Sequence, residues 1–273
     1  MMKAILCIVF ALTVEECLSE MTTDQKSEEG FVSLFNGKNL DGWNLKIRSG
    51  DEEMAQKVFS VENGVVRVFG EAFPKKYKVD TGENDTHGMM YTEKEYSRYI
   101  FQFEYKWGTR IANNFGRWQY DAGCYYHVSD DKIWPIGIEY QVRYDHIQKR
   151  NHTGDLIRPN GVEYQWICNA EGSAFLHPSK GGKPAKGKGW EHAGEPIGNF
   201  QALNGEWNRC EIIVMGEQYT IHKLNGEVVN IAVDLNPSEG LIGLQAETSE
   251  IFYRNIRIKE LDRFVPMETF LNL

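Results

Sequence analysis

Apolar and polar positions alternate with period two over several long stretches of the chain. Tyr99, Phe101, Phe103, Tyr105 and Trp107 interleave with Ile100, Gln102, Glu104 and Lys106, so an extended backbone puts the rings on one face and largely polar groups on the other. Residues 58–69 predict two strands turned at Glu62-Asn63-Gly64, because Asn and Gly both tolerate the positive φ of a tight hairpin. Residues 210–215 and 218–223 pair across Gly216-Glu217, and Asn225-Gly226 turns the chain again toward 228–233. Residues 241–246 and 251–259 close the series, and no stretch sustains helical spacing beyond about two turns. Many short strands broken by Gly, Asn and Pro turns predict an all-β sandwich or barrel.

Four of these strands carry unusual polar faces. In 121–128, Asp121, Gly123, Tyr125 and His127 alternate with Cys124, Tyr126 and Val128; in 136–143, Glu139, Gln141 and Arg143 alternate with Ile138, Tyr140 and Val142. Gln102, Glu104 and Lys106 repeat the pattern earlier, and Gln245 and Glu247 later. A solvated outer face is the plain explanation for such alternation. The composition points elsewhere: Tyr, His, Glu and Gln form directional hydrogen bonds and suit a concave sheet that binds sugars.

Composition narrows the setting. The 273 residues, 41% of them apolar, are enough for one or two domains with a substantial core. Residues 1–20 are expected to be a signal peptide, with Lys3 before an apolar run too short to span a bilayer, and 21–30 a disordered polar segment. Residues 31–273 are expected to form one domain of an exported protein, periplasmic or extracellular. Lipid attachment at Cys17 is the disfavoured alternative, because Glu15 and Glu16 precede it. No later segment is apolar enough for a transmembrane helix. A net charge of -9 excludes a nucleic-acid backbone as main partner, and the Gly- and Lys-rich run at 179–190 is expected to be a solvated loop. Cys124, Cys168 and Cys210 have no CxxC spacing and predict buried thiols, or one disulfide and a spare. Asn84 and Asn151 match the glycosylation pattern, which matters only in a eukaryotic host.

Three ordered stretches resemble a known family. FVSLFNGKNLDGW (31–43) resembles the opening signature of the 3-keto-disaccharide hydrolase family, formerly a domain of unknown function. NGEWNRCEIIVMGEQYTIHKLNGEVVN (204–230) and GLIGLQAETSEIFYRNIRIKEL (240–261) resemble its C-terminal half strand by strand. In the middle, Asp121-Ala122-Gly123 and His127 stand where the common form has Asn-Ser-Gly and Arg. Tyr126-His127, Trp134-Pro135, Ile138-Glu139-Tyr140-Gln141 and Gly154-Asp155 resemble a subgroup of the family. The likeness covers roughly 31–261.

The resemblance implies a concanavalin A-like two-sheet jelly roll with its site on the concave sheet, and a carbohydrate substrate already oxidised at C3. A ketone there acidifies the C2 proton, so a base removes it, the C1 group leaves, and water adds back. Such a site needs a base, an electrophile for the enolate and an acid. His127 and Glu139 are the candidate catalytic residues. Lys106, or a divalent metal held by His127, Glu139 and Glu247, is the candidate for the enolate. Tyr125, Gln141 and Gln245 are candidates for orienting hydroxyls, alongside Glu104, Asp121, Asp155 and Glu247, with turn chemistry the alternative for the two Asp residues. His146 and His152 are expected in a solvated loop. Trp43, Trp118, Trp134 and Trp166 are sugar platforms or core. A non-catalytic carbohydrate-binding or adhesion module competes with the enzyme, and a ligand-free structural protein is the third reading, because fold alone separates none of them.

Overall fold

The computed structural model describes residues 30–75, 85–158, 161–194 and 198–271. The predicted signal peptide, the polar segment up to residue 29 and Asn84 lie outside the described residues. Val32–Leu273 cluster as one compact unit, and no described helix is long and apolar enough to cross a membrane. In chain order the strands are β1 (Val32–Ser33), β2 (Trp43–Ile47), β3 (Phe59–Glu62), β4 (Val65–Val68), β5 (Gly88–Thr92), β6 (Arg98–Ile111), β7 (Tyr120–Val128), β8 (Ile138–Asp145) and β9 (Arg150–Asn151). They continue as β10 (Leu156–Ile157), β11 (Gln165–Cys168), β12 (Lys183–Lys186), β13 (Trp190–Glu191), β14 (Asn208–Met215), β15 (Tyr219–Leu224), β16 (Glu227–Val233), β17 (Leu241–Ala246) and β18 (Ser249–Glu260).

These strands build two antiparallel sheets, as the alternation predicts. One runs β12-β11-β16-β15-β14-β6-β18-β4-β3 with β1 on β18; the other runs β13-β10-β8-β7-β17-β5-β2 with β9 on β8. The hairpin at Asn63 and Gly64 takes φ of 52° and 78°, the left-handed geometry its sequence suits. Phe101, Phe103 and Tyr105 of β6 pack across the sandwich on Cys124, Tyr126, Tyr140 and Val142 of β7 and β8, all fully buried. Each such ring removes on the order of 150–250 Å² from water, so this layer dominates the stability. Trp43 and Trp166 belong to it, and Cys124, Cys168 and Cys210 are buried free thiols.

Two expectations fail here, each for a stated reason. Glu104 and Lys106 lie on β6, which joins the ten-stranded sheet; Glu104 accepts a hydrogen bond from Arg254 at 2.7 Å and Lys106 sits 5.0 Å from the Trp207 ring. They therefore decorate the outer face of the sheet opposite β7 and β8. Alternation tells which residues share a face of one strand, not which sheet that strand joins.

The second failure is His127. Val128 pairs with Leu241 and Tyr125 with Gly243, so Tyr126 and His127 together stand opposite Ile242. This bulge adds one residue, and His127 takes φ 51°. Tyr125 and Val128 consequently share the outer face with Met89 and Tyr91. The His127 ring turns instead to the carbonyl of Gly216, 3.2 Å away at the end of the other sheet. Burial pushes its pKa down to about 4.

Candidate active site

The strand register draws a grid on the outer face of the eight-stranded sheet. Asp121 pairs with Arg143, Gly123 with Gln141 and Tyr125 with Glu139. On the other side of β7, Gly243 pairs with both Tyr125 and Tyr91, and Gln245 pairs with Met89. Just past the Ala246–Gly88 pair, Glu247 and His87 face each other with Oε1 and Nε2 3.7 Å apart. His87, Glu247, Asp121 and Arg143 thus form one row across four strands, spaced about 4.8 Å apart. Gln245, Gly123 and Gln141 form the next row.

With Glu139 from the row of Tyr125, this face carries one buried cation against three carboxyls. Arg143 donates to Asp121 at 2.5 Å and lies against both Trp118 and Trp190, 4.6 and 5.1 Å from their ring centres. Burial pushes the Asp121 carboxyl up and Arg143 pulls it back. In direct contact with the guanidinium, Asp121 is the carboxyl that keeps its charge. Burial first, and then the charge of Asp121, push Glu139 up to about 8 and Glu247 well above the usual carboxylate range. At neutral pH both are therefore protonated, with an O–H to give.

Glycine makes room for one of them. A Cβ on Gly123 would lie 2.3 Å from Oε1 of Glu139, so the carboxyl rests on bare backbone, while its Oε2 accepts from the Tyr125 hydroxyl at 2.9 Å. Gly123→Ala is expected to destabilise the fold by about 1–3 kcal/mol, the range for overpacking a tight site. Urea unfolding monitored by Trp fluorescence measures it; an unchanged midpoint would show that the carboxyl is not held there.

A second cluster closes one end of the grid. Asp155 Oδ2 accepts from His152 Nδ1 at 2.9 Å, Trp190 Nε1 at 2.8 Å and His192 Nδ1 at 3.2 Å, while Oδ1 accepts from the Ala193 amide at 2.7 Å. Although burial alone would raise it, these donors hold the Asp155 carboxyl down at about 2. His152 is 3% exposed and packs edge-on to Trp118. With Nδ1–H fixed on Asp155, its tautomer leaves a lone pair on Nε2, which is buried and has no partner. The turn is sewn to the opposite sheet: His222 Nδ1 donates to the Gly154 carbonyl at 3.0 Å, and Gly154 itself takes φ 96°.

Other buried atoms on this face also lack partners. Gln141 spends its amide N–H groups on Asp121 and the Ala122 carbonyl at 2.6 and 2.8 Å, leaving Oε1 bare. Gln245 Oε1, Arg143 Nε and both ring nitrogens of His87 are bare as well. Buried polar atoms without partners are rare and costly, and their concentration on this face makes it the candidate site for a polar ligand. The unmatched set is mainly hydrogen-bond acceptors, with one fixed N–H donor on Arg143. Open clefts lined by Arg158 and Lys186, or by Lys46 and Asp131, lie elsewhere. Trp118 and Trp190 pack on Arg143 at one end of the first row and Trp134 on His87 at the other.

Of the expected site residues, Asp121, Tyr125, Glu139, Gln141, Asp155, Gln245 and Glu247 are brought together, and His127, Glu104 and Lys106 are not. The metal set His127, Glu139 and Glu247 does not converge, since His127 faces Gly216. His152, Asp155 and His192 have ligand atoms within 4.8 Å of one another, and mixed His and carboxylate donors suit a divalent ion. In the geometry present the three ring nitrogens of His152, His192 and Trp190 lie within hydrogen-bond distance of Asp155 Oδ2, and Trp190 Nε1 can only donate to it. Arg143, which continues the polar face of Glu139 and Gln141, joins the site as a functional group not among the expected ones. His152 is buried where a solvated loop is expected from the sequence, and the His-x-x-Asp spacing across a Gly turn is its only local signal.

The sequence profile of a family described as a 3-keto-alpha-glucoside-1,2-lyase-like domain matches residues 30–259. No curated protein matches significantly. Two solved structures of candidate glycosyl hydrolases from Parabacteroides distasonis superpose with TM-scores of 0.50. The first is 22% identical and covers 92% of this chain and 98% of its own; the second is 20% identical and covers 85% and 99%. At that identity they establish a shared fold.

Proposed function

The chain belongs to the 3-keto-alpha-glucoside-1,2-lyase-like family, and from that membership we propose that it cleaves 3-keto-glycosides by elimination across C1 and C2. His152 Nε2, its tautomer set by Asp155, takes the C2 proton. The electron pair of the C–H bond forms a C2=C3 enolate, and the charge on O3 is met by the buried Arg143 Nε–H. Collapse of the enolate restores the ketone, forms the C1=C2 double bond and breaks the C1–O bond. Glu139 gives its proton to the departing oxygen. Addition of water across C1=C2 completes net hydrolysis.

One observation carries this reading: the unpartnered buried atoms of the face match a keto sugar. Arg143 Nε supplies a donor for a carbonyl oxygen, while Gln141 Oε1 and Gln245 Oε1 await the O–H groups of hydroxyls. The route differs from that of ordinary glycosidases, whose two carboxylates flank an oxocarbenium-like transition state. Buried carboxyls with raised pKa values also favour an enzyme over a binding module, which has no need of them.

The test is release of a chromogenic leaving group from a 3-keto-glucoside and from the same glucoside unoxidised, with and without a chelator. Release from the keto substrate alone is expected, with turnover falling as pH rises through about 8, where Glu139 loses the proton it must donate. Equal cleavage of the unoxidised glucoside would overturn the elimination. Activity abolished by chelation and restored by a divalent ion would make His152 and Asp155 metal ligands instead of a base pair.

A further inference from the structure

Tyr125 is expected from the sequence to orient sugar hydroxyls, but its own hydroxyl is already engaged. It donates to Oε2 of Glu139 at 2.9 Å, directly across the strand pair, and among the described residues no other hydrogen bond reaches that carboxyl. The ring that carries the hydroxyl is wedged in place: it is 1% exposed and packs with Met89, Tyr91, Val128 and Leu241. Tyr91 is fixed in turn by its hydroxyl on the Lys132 carbonyl at 2.5 Å, and its ring fills the space that a Cβ on Gly243 would need.

A protonated carboxyl has one oxygen that donates and one that accepts. With Oε2 accepting the Tyr125 O–H, the acid proton belongs on Oε1, the oxygen that lies over the bare backbone of Gly123. Once that proton is given away, the carboxylate keeps the Tyr125 bond, and a hydrogen bond to the charged form favours ionisation. Tyr125 therefore acts on Glu139 in the same direction as Arg143, against burial and the charges of Asp121 and Asp155, while the protonated Glu247 completes the groups around it. Burial and the neighbouring Glu139 hold the Tyr125 hydroxyl well above its ordinary pKa, so it stays a neutral donor.

We propose that Tyr125 is the positioning residue of the acid: by holding Oε2 it fixes the proton on Oε1 and the carboxyl over Gly123, so that a poor leaving group can depart. The assignment rests on the function proposed above. In the step it serves, the C1–O bond breaks, its electron pair stays on the departing oxygen, and the Oε1 proton bonds to that oxygen, leaving Glu139 as the carboxylate. Two 3-keto-glucosides test it, one releasing methanol, which needs the acid, and one releasing nitrophenol, which departs as the anion. In Tyr125→Phe, which keeps the ring, the ratio of kcat/KM for the methyl glycoside to that for the nitrophenyl glycoside is expected to fall on the order of tenfold to a hundredfold, the effect of an acid kept but misplaced. The alkaline limb for the methyl glycoside is expected to move above about 8, because the carboxylate has lost a donor. A loosened fold would admit water and move that limb down, toward the ordinary carboxylate range. A ratio that stays in place, or a limb that moves down, overturns the assignment.

Titration of the full chain without substrate separates this inference from the reaction. In a carboxyl carbon NMR spectrum, with the Glu139 signal identified by its loss in Glu139→Gln, that signal is expected to titrate at higher pH in Tyr125→Phe than in the wild type. If the wild type cleaves neither substrate, the reading of the reaction fails and the titration alone decides: a signal that moves keeps Tyr125 as the group holding the carboxyl, and one that titrates at the same pH in both proteins removes it.

Discussion

His152→Ala lowers turnover of a 3-keto-glycoside on the order of 10²- to 10⁴-fold, the contribution of a positioned general base. The expectation rests on the ring being poised: Asp155 holds Nδ1 at 2.9 Å, and Nε2 is the buried lone pair with no partner. Asp155→Asn is expected to reduce turnover as well, because an amide can offer its own N–H groups to the ring and favour the wrong tautomer. Circular dichroism and sugar binding should stay near wild type in His152→Ala, since the strands and the acceptors on Gln141 and Gln245 are untouched. A variant that keeps a tenth or more of the activity would remove His152 from the chemistry.

Arg143→Met is expected to destabilise the protein by about 3–5 kcal/mol, the cost of stranding a buried charge. Asp121 would lose the contact at 2.5 Å that keeps it ionised, and Trp118 and Trp190 would lose the cation they both pack on. The companion change Asp121→Asn removes the stranded charge. In the double variant most of the loss should return, so the two single effects should exceed the combined one by more than 1 kcal/mol in urea unfolding. Additive losses would show that the pair is not the unit described. Activity should stay low in the double variant, because no donor then faces the enolate oxygen.

The strands themselves were legible because a period of two is imposed by the backbone: Leu241–Ala246 appears where the alternation puts it, and the Asn63-Gly64 turn takes the φ values its residues favour. The co-facing of Asp121, Gly123 and Tyr125 with Glu139 and Gln141 was legible too, since it needs only two neighbouring strands in register. Lys106 and His127 were misplaced for different reasons. The first depends on which sheet β6 joins, which long-range pairing decides. The second depends on a one-residue bulge opposite Ile242, which reverses the face of everything after it.

The sequence by itself thus determined an all-β sandwich, the family and most of the polar face, because these follow from local periodicity and ordered motifs. Only the tertiary structure decided which groups meet. Arg143 packs on two tryptophans from segments about 70 residues apart in the chain, and the His152 turn is pinned by His222 from the opposite sheet. Raised carboxyl pKa values arise from shared burial around one cation, a property of the assembled face that no stretch of the sequence contains.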